Sequence, residues 1–338
     1  MTRDYKTFEL GDVELQSGIT LRDALLAYQT YGELNSDRSN AIMYPTWYSG
    51  RHWENEWLIG EGMALDPAKY FIIVPNAFGN GLSSSPSNMA PPSNGARFPD
   101  ITMHDNVACQ YRLLTEHLGV EHLRLVLGWS MGAGQTYQWG VSYPDAMDAL
   151  LPFCGASKTS PHNVVFLEAV KAALTADAAW ENGWYKDQPQ LGLRAVGRVY
   201  AGWGFSQAFY WEEEWRKLGF SSLEDFLVGF WEGFFLDDRD ANNLLTMLWT
   251  WQNADVGQTP GFDGETKRAL QSIKARIIQM PSEKDLYFCP EDEEWASQFI
   301  PKSEVRVVPG IWGHFAGGGV NPVDTAFIDK AAKELLGD

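Results

Sequence analysis

Residues 128–132 read Gly-Trp-Ser-Met-Gly, a serine with glycine two positions to either side. The apolar-biased run Leu123 to Leu127 leads into it, and a helix-compatible stretch from Gln135 to the Tyr143-Pro144 break leads away. A strand, a sharp turn and a helix in that order hold a hydroxyl above a sheet edge. The turn needs small neighbours because a bulkier Cβ would clash with the tight backbone. The Met131 amide, at the helix start, then points toward an oxyanion developing on a bound acyl group. Composition alone places the bare pattern in roughly one such chain in five. The flanking elements therefore carry the reading, and the chemistry they predict is nucleophilic attack by Ser130.

A neutral serine needs a base within hydrogen-bond reach, and that base needs an acid to fix its tautomer. On a serine elbow of this kind the partners follow in the order acid, then histidine, each in a loop after a strand. Of six histidines only His314 lies far enough downstream, in Gly310-Ile-Trp-Gly-His-Phe315 after the strand-like Glu304–Val308. His117 and His122 flank a helix-to-strand turn and read as surface residues, and His104 beside Asp105 as a cap or turn pair. The acid should follow the strand Ala275–Gln279, where Glu283 and Asp285 both qualify. Asp285 is better placed, since Leu286, Tyr287 and Phe288 follow and would bury it against the imidazole. A second oxyanion donor should come from the loop after Ala41–Tyr44. Pro45 has no N–H, so it falls to Thr46 or Trp47, with Thr46 favoured. Tyr44, Trp47, Tyr48 and Trp129 are expected to line the acyl pocket.

These loops need a sheet to carry them. Residues 8–32 alternate apolar and polar and predict antiparallel edge strands, whereas Ala41–Tyr44, Tyr70–Val74, Leu123–Leu127 and Ala149–Phe153 are short continuous apolar runs, as for strands covered on both faces. Val107–Leu118 carries helical periodicity. The predicted fold is α/β, a mostly parallel doubly wound sheet. From 157 to 265 the strand signal vanishes and eight of the 15 tryptophans appear. The economical reading is a core of 1–156 and 266–338 interrupted by a helical cap, 157–265, with the tryptophans as cap core or dimer contacts.

The chain has 338 residues, 45% of them hydrophobic, and a net charge of −18. That balance argues against nucleic acid, whose phosphates demand Lys and Arg patches. No apolar run approaches a membrane span, and the charged N-terminus carries no apolar leader-like run. Cys109, Cys154 and Cys289 form no paired framework; Cys109 and Cys154 sit in apolar sequence and read as buried thiols, which fits a reducing cytoplasm. No H-E-x-x-H or P-loop is present, and Gly79-Asn-Gly81 lacks the context of a dinucleotide site, so neither metal nor cofactor is implied.

The elbow with Gln135 and Trp139 beyond it resembles the Gly-Gly-Ser-Met-Gly-Gly segment, with its following Gln and Trp, of the homoserine O-acetyltransferase branch of the α/β-hydrolase superfamily. Asn163–Tyr185, with Glu168, Lys171, Asp177, Trp180 and Gly183, resembles that family's first cap helices, and Leu26-Ala-Tyr28 through Tyr31-Gly32 the opening of its core. The resemblance implies an α/β-hydrolase fold, a Ser130–Asp285–His314 triad and a homodimer formed through the cap. It also places Lys171 where the family has an arginine in the tunnel to the nucleophile. One departure bears on the reaction. The family's histidine is followed by an aspartate that holds the substrate amine; here Phe315 follows His314. Losing that charge-assisted contact removes about 1.5–3 kcal/mol, and homoserine becomes a poor acceptor. The expectation is a serine hydrolase of short-chain, acetyl-type esters working through an acyl-enzyme, with acetyl-CoA-dependent O-acyl transfer as the alternative.

Overall fold

A computed structural model describes residues 3–337. Its centre is an eight-stranded sheet of order β1-β2-β4-β3-β5-β6-β7-β8. The strands are β1 Lys6–Glu14, β2 Thr20–Tyr31, β3 Ala41–Met43, β4 Phe71–Pro75, β5 Leu123–Trp129, β6 Met147–Phe153, β7 Arg276–Gln279 and β8 Ser303–Val305. β1 pairs antiparallel with β2, and β2 with β4; every later pairing is parallel. The alternating edge and the apolar centre sit where their patterns predict.

The two faces separate residue by residue. Ile42, Ile72, Val74, Leu125, Leu127 and Leu151 join one buried cluster, while Met43, Ile73, Val126 and Leu150 join the other. A strand alternates its side chains, so a sheet with two apolar faces must be covered twice. Helices α1 (Met103–Arg112) and α2 (Met131–Ser142) help to cover it. Thr102 caps α1, accepting from the Asp105 amide, and Asp105 closes a capping box. β5 runs to Trp129 and α2 starts at Met131, so strand and helix meet at Ser130 with no intervening loop.

Between β6 and β7 the chain leaves the sheet for a helical segment that includes α3 (Pro161–Thr175), α4 (Gln190–Gly204) and the helix Ala241–Gln252. Its two ends meet. Thr159 N–H donates to Ala254, Val256 N–H donates to Ser157, and Lys158 pairs with Asp255 at 2.8 Å. The segment packs over the sheet face that holds Leu125 and Leu127, continuous with that cluster. Among the described residues no helix is long and apolar enough to cross a membrane. Cys109 and Cys154 are buried and Cys289 partly so, all three unpaired.

Candidate active site

Ser130 occupies φ 58°, ψ −124°, a conformation a serine adopts only under constraint from its surroundings. The constraint is visible at the glycines. A Cβ on Gly128 would lie 2.3 Å from the Gly132 carbonyl oxygen, and one on Gly132 would lie 2.8 Å from that of Pro45. Only glycine at both positions lets strand, serine and helix close up this tightly. The Met131 amide is the first of α2 and has no carbonyl within the helix to bond.

His314 is buried, its Nδ1 2.7 Å from Asp285 Oδ2. The other carboxylate oxygen accepts from the Tyr287 and Phe288 amides at 3.1 and 3.0 Å. Asp285 is thus held on both oxygens, and a carboxylate on Nδ1 favours the tautomer that carries its proton there and leaves Nε2 unprotonated. Trp129 stacks on the imidazole at 5.0 Å, and its indole N–H donates to the His314 carbonyl at 3.1 Å. Glycine runs on beyond the histidine because Trp129 needs the space: a Cβ on Gly317 would come within 2.4 Å of the indole. Glu283 lies outside this arrangement, paired with Lys284 at the surface.

The Thr46 amide, expected from sequence as the second oxyanion donor, is already engaged. The Thr46 amide donates to the Pro75 carbonyl at 3.2 Å, extending the sheet, and its hydroxyl accepts from the Ala77 amide. Its carbonyl accepts from Gln135 Nε2 at 2.8 Å. That carbonyl and the Trp47 N–H belong to one planar trans peptide unit and point opposite ways. Fixing one aims the other, and the Trp47 amide donates to no group among the described residues. Gln135 is fixed in turn: Gln110 Nε2 donates to its Oε1 at 2.6 Å, and Trp139 Nε1 donates to Gln110 Oε1 at 2.9 Å. The two α2 residues beyond the elbow, Gln135 and Trp139, thus belong to one hydrogen-bonded brace, with Gln110 of α1 between them, that holds the Thr46–Trp47 peptide.

Ser130 and His314 both open into one cavity of about 40 Å³. Trp47, Tyr48, Trp129 and Phe315 line it as expected, together with Tyr200, Phe230, Trp231, Phe234, Phe235, Trp251 and Tyr287, whereas Tyr44 is buried in the core beneath and does not. Ser49 completes the lining, which holds no Lys, Arg, Asp or Glu. A water needs roughly 10–15 Å³ on this scale, so the free space suits a few heavy atoms.

A family description, the α/β hydrolase fold, matches residues 45–238. The crystal structure of an acetylester hydrolase from Corynebacterium glutamicum superposes with a TM-score of 0.96 at 40% identity, covering 99% of this chain and 96% of that one. An ethyl acetate hydrolase from Pseudomonas veronii is 39% identical over 98% of this chain and 95% of its own length. A homoserine O-acetyltransferase from Chlorobaculum parvum is 31% identical over 99% and 94%. The chain belongs to the α/β-hydrolase superfamily, in its homoserine O-acetyltransferase-like branch. With ester hydrolases matching at 39–40% identity over nearly its whole length, it is a hydrolase.

One pocket residue expected for this hydrolase is elsewhere. Lys171 is on α3, but its ammonium lies at the surface, paired with Glu168 one turn back, and does not reach the cavity. The inward face of α3 is Phe166, Leu167, Val170 and Leu174, and a residue one position from Val170 on a helix points about 100° away. Nothing in the sequence assigns Tyr200, Trp231 and Phe234 to the pocket. Tryptophan density was the available signal, and it does not separate wall from core: Trp231 and Trp251 serve as both, while Trp211 is 84% exposed.

Proposed function

We propose that this hydrolase is a serine carboxylic ester hydrolase for short-chain, acetyl-type esters. Ser130 is the nucleophile, His314 the base and Asp285 the residue that orients it. His314 takes the serine proton as Oγ attacks the ester carbon, and the Met131 and Trp47 amides stabilise the tetrahedral oxyanion. The proton passes to the departing alkoxide, leaving an acetyl-serine. Water then attacks the acyl carbon, giving its proton to His314, and acetate leaves as Ser130 is reprotonated. The observation that carries this reading is the lining of the cavity. It holds no carboxylate for an amine, and Phe315, where acetyltransferases place the amine-binding aspartate, packs against Phe205 at 4.5 Å and faces the same space. No metal or cofactor enters any step.

We further infer that residues 157–265 work as a cap over the site. The exposed Val165, Trp184, Leu191 and Trp211 on that segment support a homodimer formed through it. A cytoplasmic setting is the reading the three unpaired thiols favour.

The test is a partitioning assay. With p-nitrophenyl acetate as donor and homoserine present, acetate is the expected sole acyl product. Diversion of acetyl to O-acetylhomoserine would restore the acyltransferase reading. Ser130→Ala, with an unchanged circular dichroism spectrum, should lower kcat by about 10⁶-fold.

A further inference from the structure

Five buried polar atoms of the cavity lining have no hydrogen-bond partner among the described residues: the indole nitrogens of Trp47, Trp231 and Trp251, which can only donate, and two hydroxyls, which can also accept. Ser49 Oγ and Tyr200 Oη are buried and make no hydrogen bond among the described residues. The contrast lies next door. Tyr48, stacked on Tyr200 at 6.0 Å and lining the same space, donates its hydroxyl to the Leu244 carbonyl at 3.2 Å. Nothing in this aromatic environment prevents a hydroxyl from being satisfied by protein. Burial also pushes the Tyr200 phenol well above its ordinary pKa, so it stays protonated and available as a donor.

Ser49 carries a second mark. The Gly50 amide donates to the Trp47 carbonyl at 2.9 Å, which makes Ser49 the third residue of a tight turn, and its φ is +60°. Glycine is the residue that takes that position without strain. Serine there is conformationally costly, and its hydroxyl gives the fold no hydrogen bond in return. A buried donor without a partner is itself unfavourable. Both costs fall on a residue two positions from the Trp47 amide, against the reacting ester.

We propose that Ser49 Oγ and Tyr200 Oη form a polar subsite for the alcohol half of the substrate, and that the preferred substrate is a short acetate ester whose alcohol carries a second oxygen, as hydroxyl, ether or carbonyl. The inference rests on the ester-hydrolase reading above. An acetyl group has one oxygen outside the scissile bond, and the Met131 and Trp47 amides take it. A further acceptor for these two donors must therefore lie on the alcohol side. A simple alkyl alcohol would bury both hydroxyls against methylenes, whereas an oxygenated one would satisfy at least one of them.

The experiment compares 2-hydroxyethyl acetate with propyl acetate, equal in heavy atoms, on the intact enzyme and on Ser49→Gly and Tyr200→Phe. Wild-type enzyme should favour the hydroxyethyl ester by about tenfold in kcat/KM, the size of one well-made hydrogen bond. In each variant the ratio should fall toward one, because the hydroxyethyl ester loses more than the propyl ester. Ser49→Gly should also melt at or above the wild-type temperature, since glycine relieves the left-handed backbone. A drop in Tm would show that the hydroxyl serves the fold and would overturn the proposal. Turnover of both acetates without preference, or with a ratio the variants leave unchanged, overturns the subsite and leaves the hydrolase standing. Turnover of neither overturns both.

Discussion

The two sides of the cavity are built by different rules. On the sheet side, direction is fixed by hydrogen bonds: Asp285 is held on both oxygens, His314 on its ring and its carbonyl, and the oxyanion loop through Gln135, Gln110 and Trp139. On the cap side, shape is fixed by rings. Phe205, Phe230, Trp231 and Phe315 interleave with centroids 4.5–5.8 Å apart. In the mechanism proposed above the sheet side tolerates no change of angle, because proton transfer and oxyanion binding depend on it. The cap side must fill volume and exclude water and charge, which many ring arrangements can do. Substitutions on the first side should therefore alter turnover, and those on the second should alter stability and substrate choice.

The sharpest break of that contrast is Asp285→Asn. The amide keeps the shape but favours the wrong imidazole tautomer, so kcat should fall by about 10⁴-fold with the melting temperature little changed. Glu283→Gln, two residues away, should stay near wild type. Steady-state kinetics on p-nitrophenyl acetate ranks the two; the opposite ranking would move the acid.

The same division explains what could be read from the chain. The elbow is legible because its glycines are demanded locally, and Asp285 is legible over Glu283 because the apolar residues after it announce burial. That the Trp47 amide is free among the described residues and the Thr46 amide is not could not be read there, because what occupies Thr46 is the Pro75 carbonyl at the end of β4, a long-range contact that nothing in the loop's own composition signals. The cap wall is less legible still. Tyr200, Trp231 and Phe234 come from helical turns without a motif, and which rings face the cavity depends on how α4 seats against its neighbours. Lys171 shows the limit of transfer by resemblance: the matching position lies on the matching helix, while the side chain turns outward to Glu168.

Phe315→Asp asks the two sides to exchange roles. A carboxylate there would replace a ring packed against Phe205, Trp231 and Trp129 and would meet no cation in the cavity lining. We expect a loss of about 3 kcal/mol in urea unfolding. Homoserine should remain a poor acceptor, since its own carboxylate would still lack a partner. A stable variant that acetylates homoserine would show that one position sets the acceptor and that the aromatic wall contributes little to it.

Beneath the catalytic edge lies a second fully buried carboxylate, which sharpens what holding Asp285 involves. Glu293 contacts Tyr137 of α2 and accepts from Gln279 Nε2 at 2.6 Å, yet desolvation outweighs these bonds and pushes its pKa up to about 8. A carboxyl whose folded pKa is raised stabilises the fold fully below its unfolded pKa near 4.5, and that contribution is lost as pH rises through about 8. Wild-type stability should therefore decline between about pH 5 and pH 9, by on the order of 5 kcal/mol, and Glu293→Gln should flatten the decline. Urea melts across that range measure it. An unchanged slope would place the titration elsewhere and leave α2 without a pH-sensitive support.

The smallest effect is expected at Lys171. Its ammonium is 43% exposed and its partner Glu168 49%, so the pair is screened by solvent. Lys171→Ala should change stability by less than about 0.5 kcal/mol and leave kcat/KM within about twofold of wild type, because nothing the side chain touches borders the cavity. The null result carries weight here, since a tunnel cation would act by attracting a charged acceptor that a hydrolase of neutral esters has no need to draw in. A tenfold loss of kcat/KM would mean that the ester's path runs across the outer face of α3. The cap would then contribute a charged gate as well as an aromatic wall.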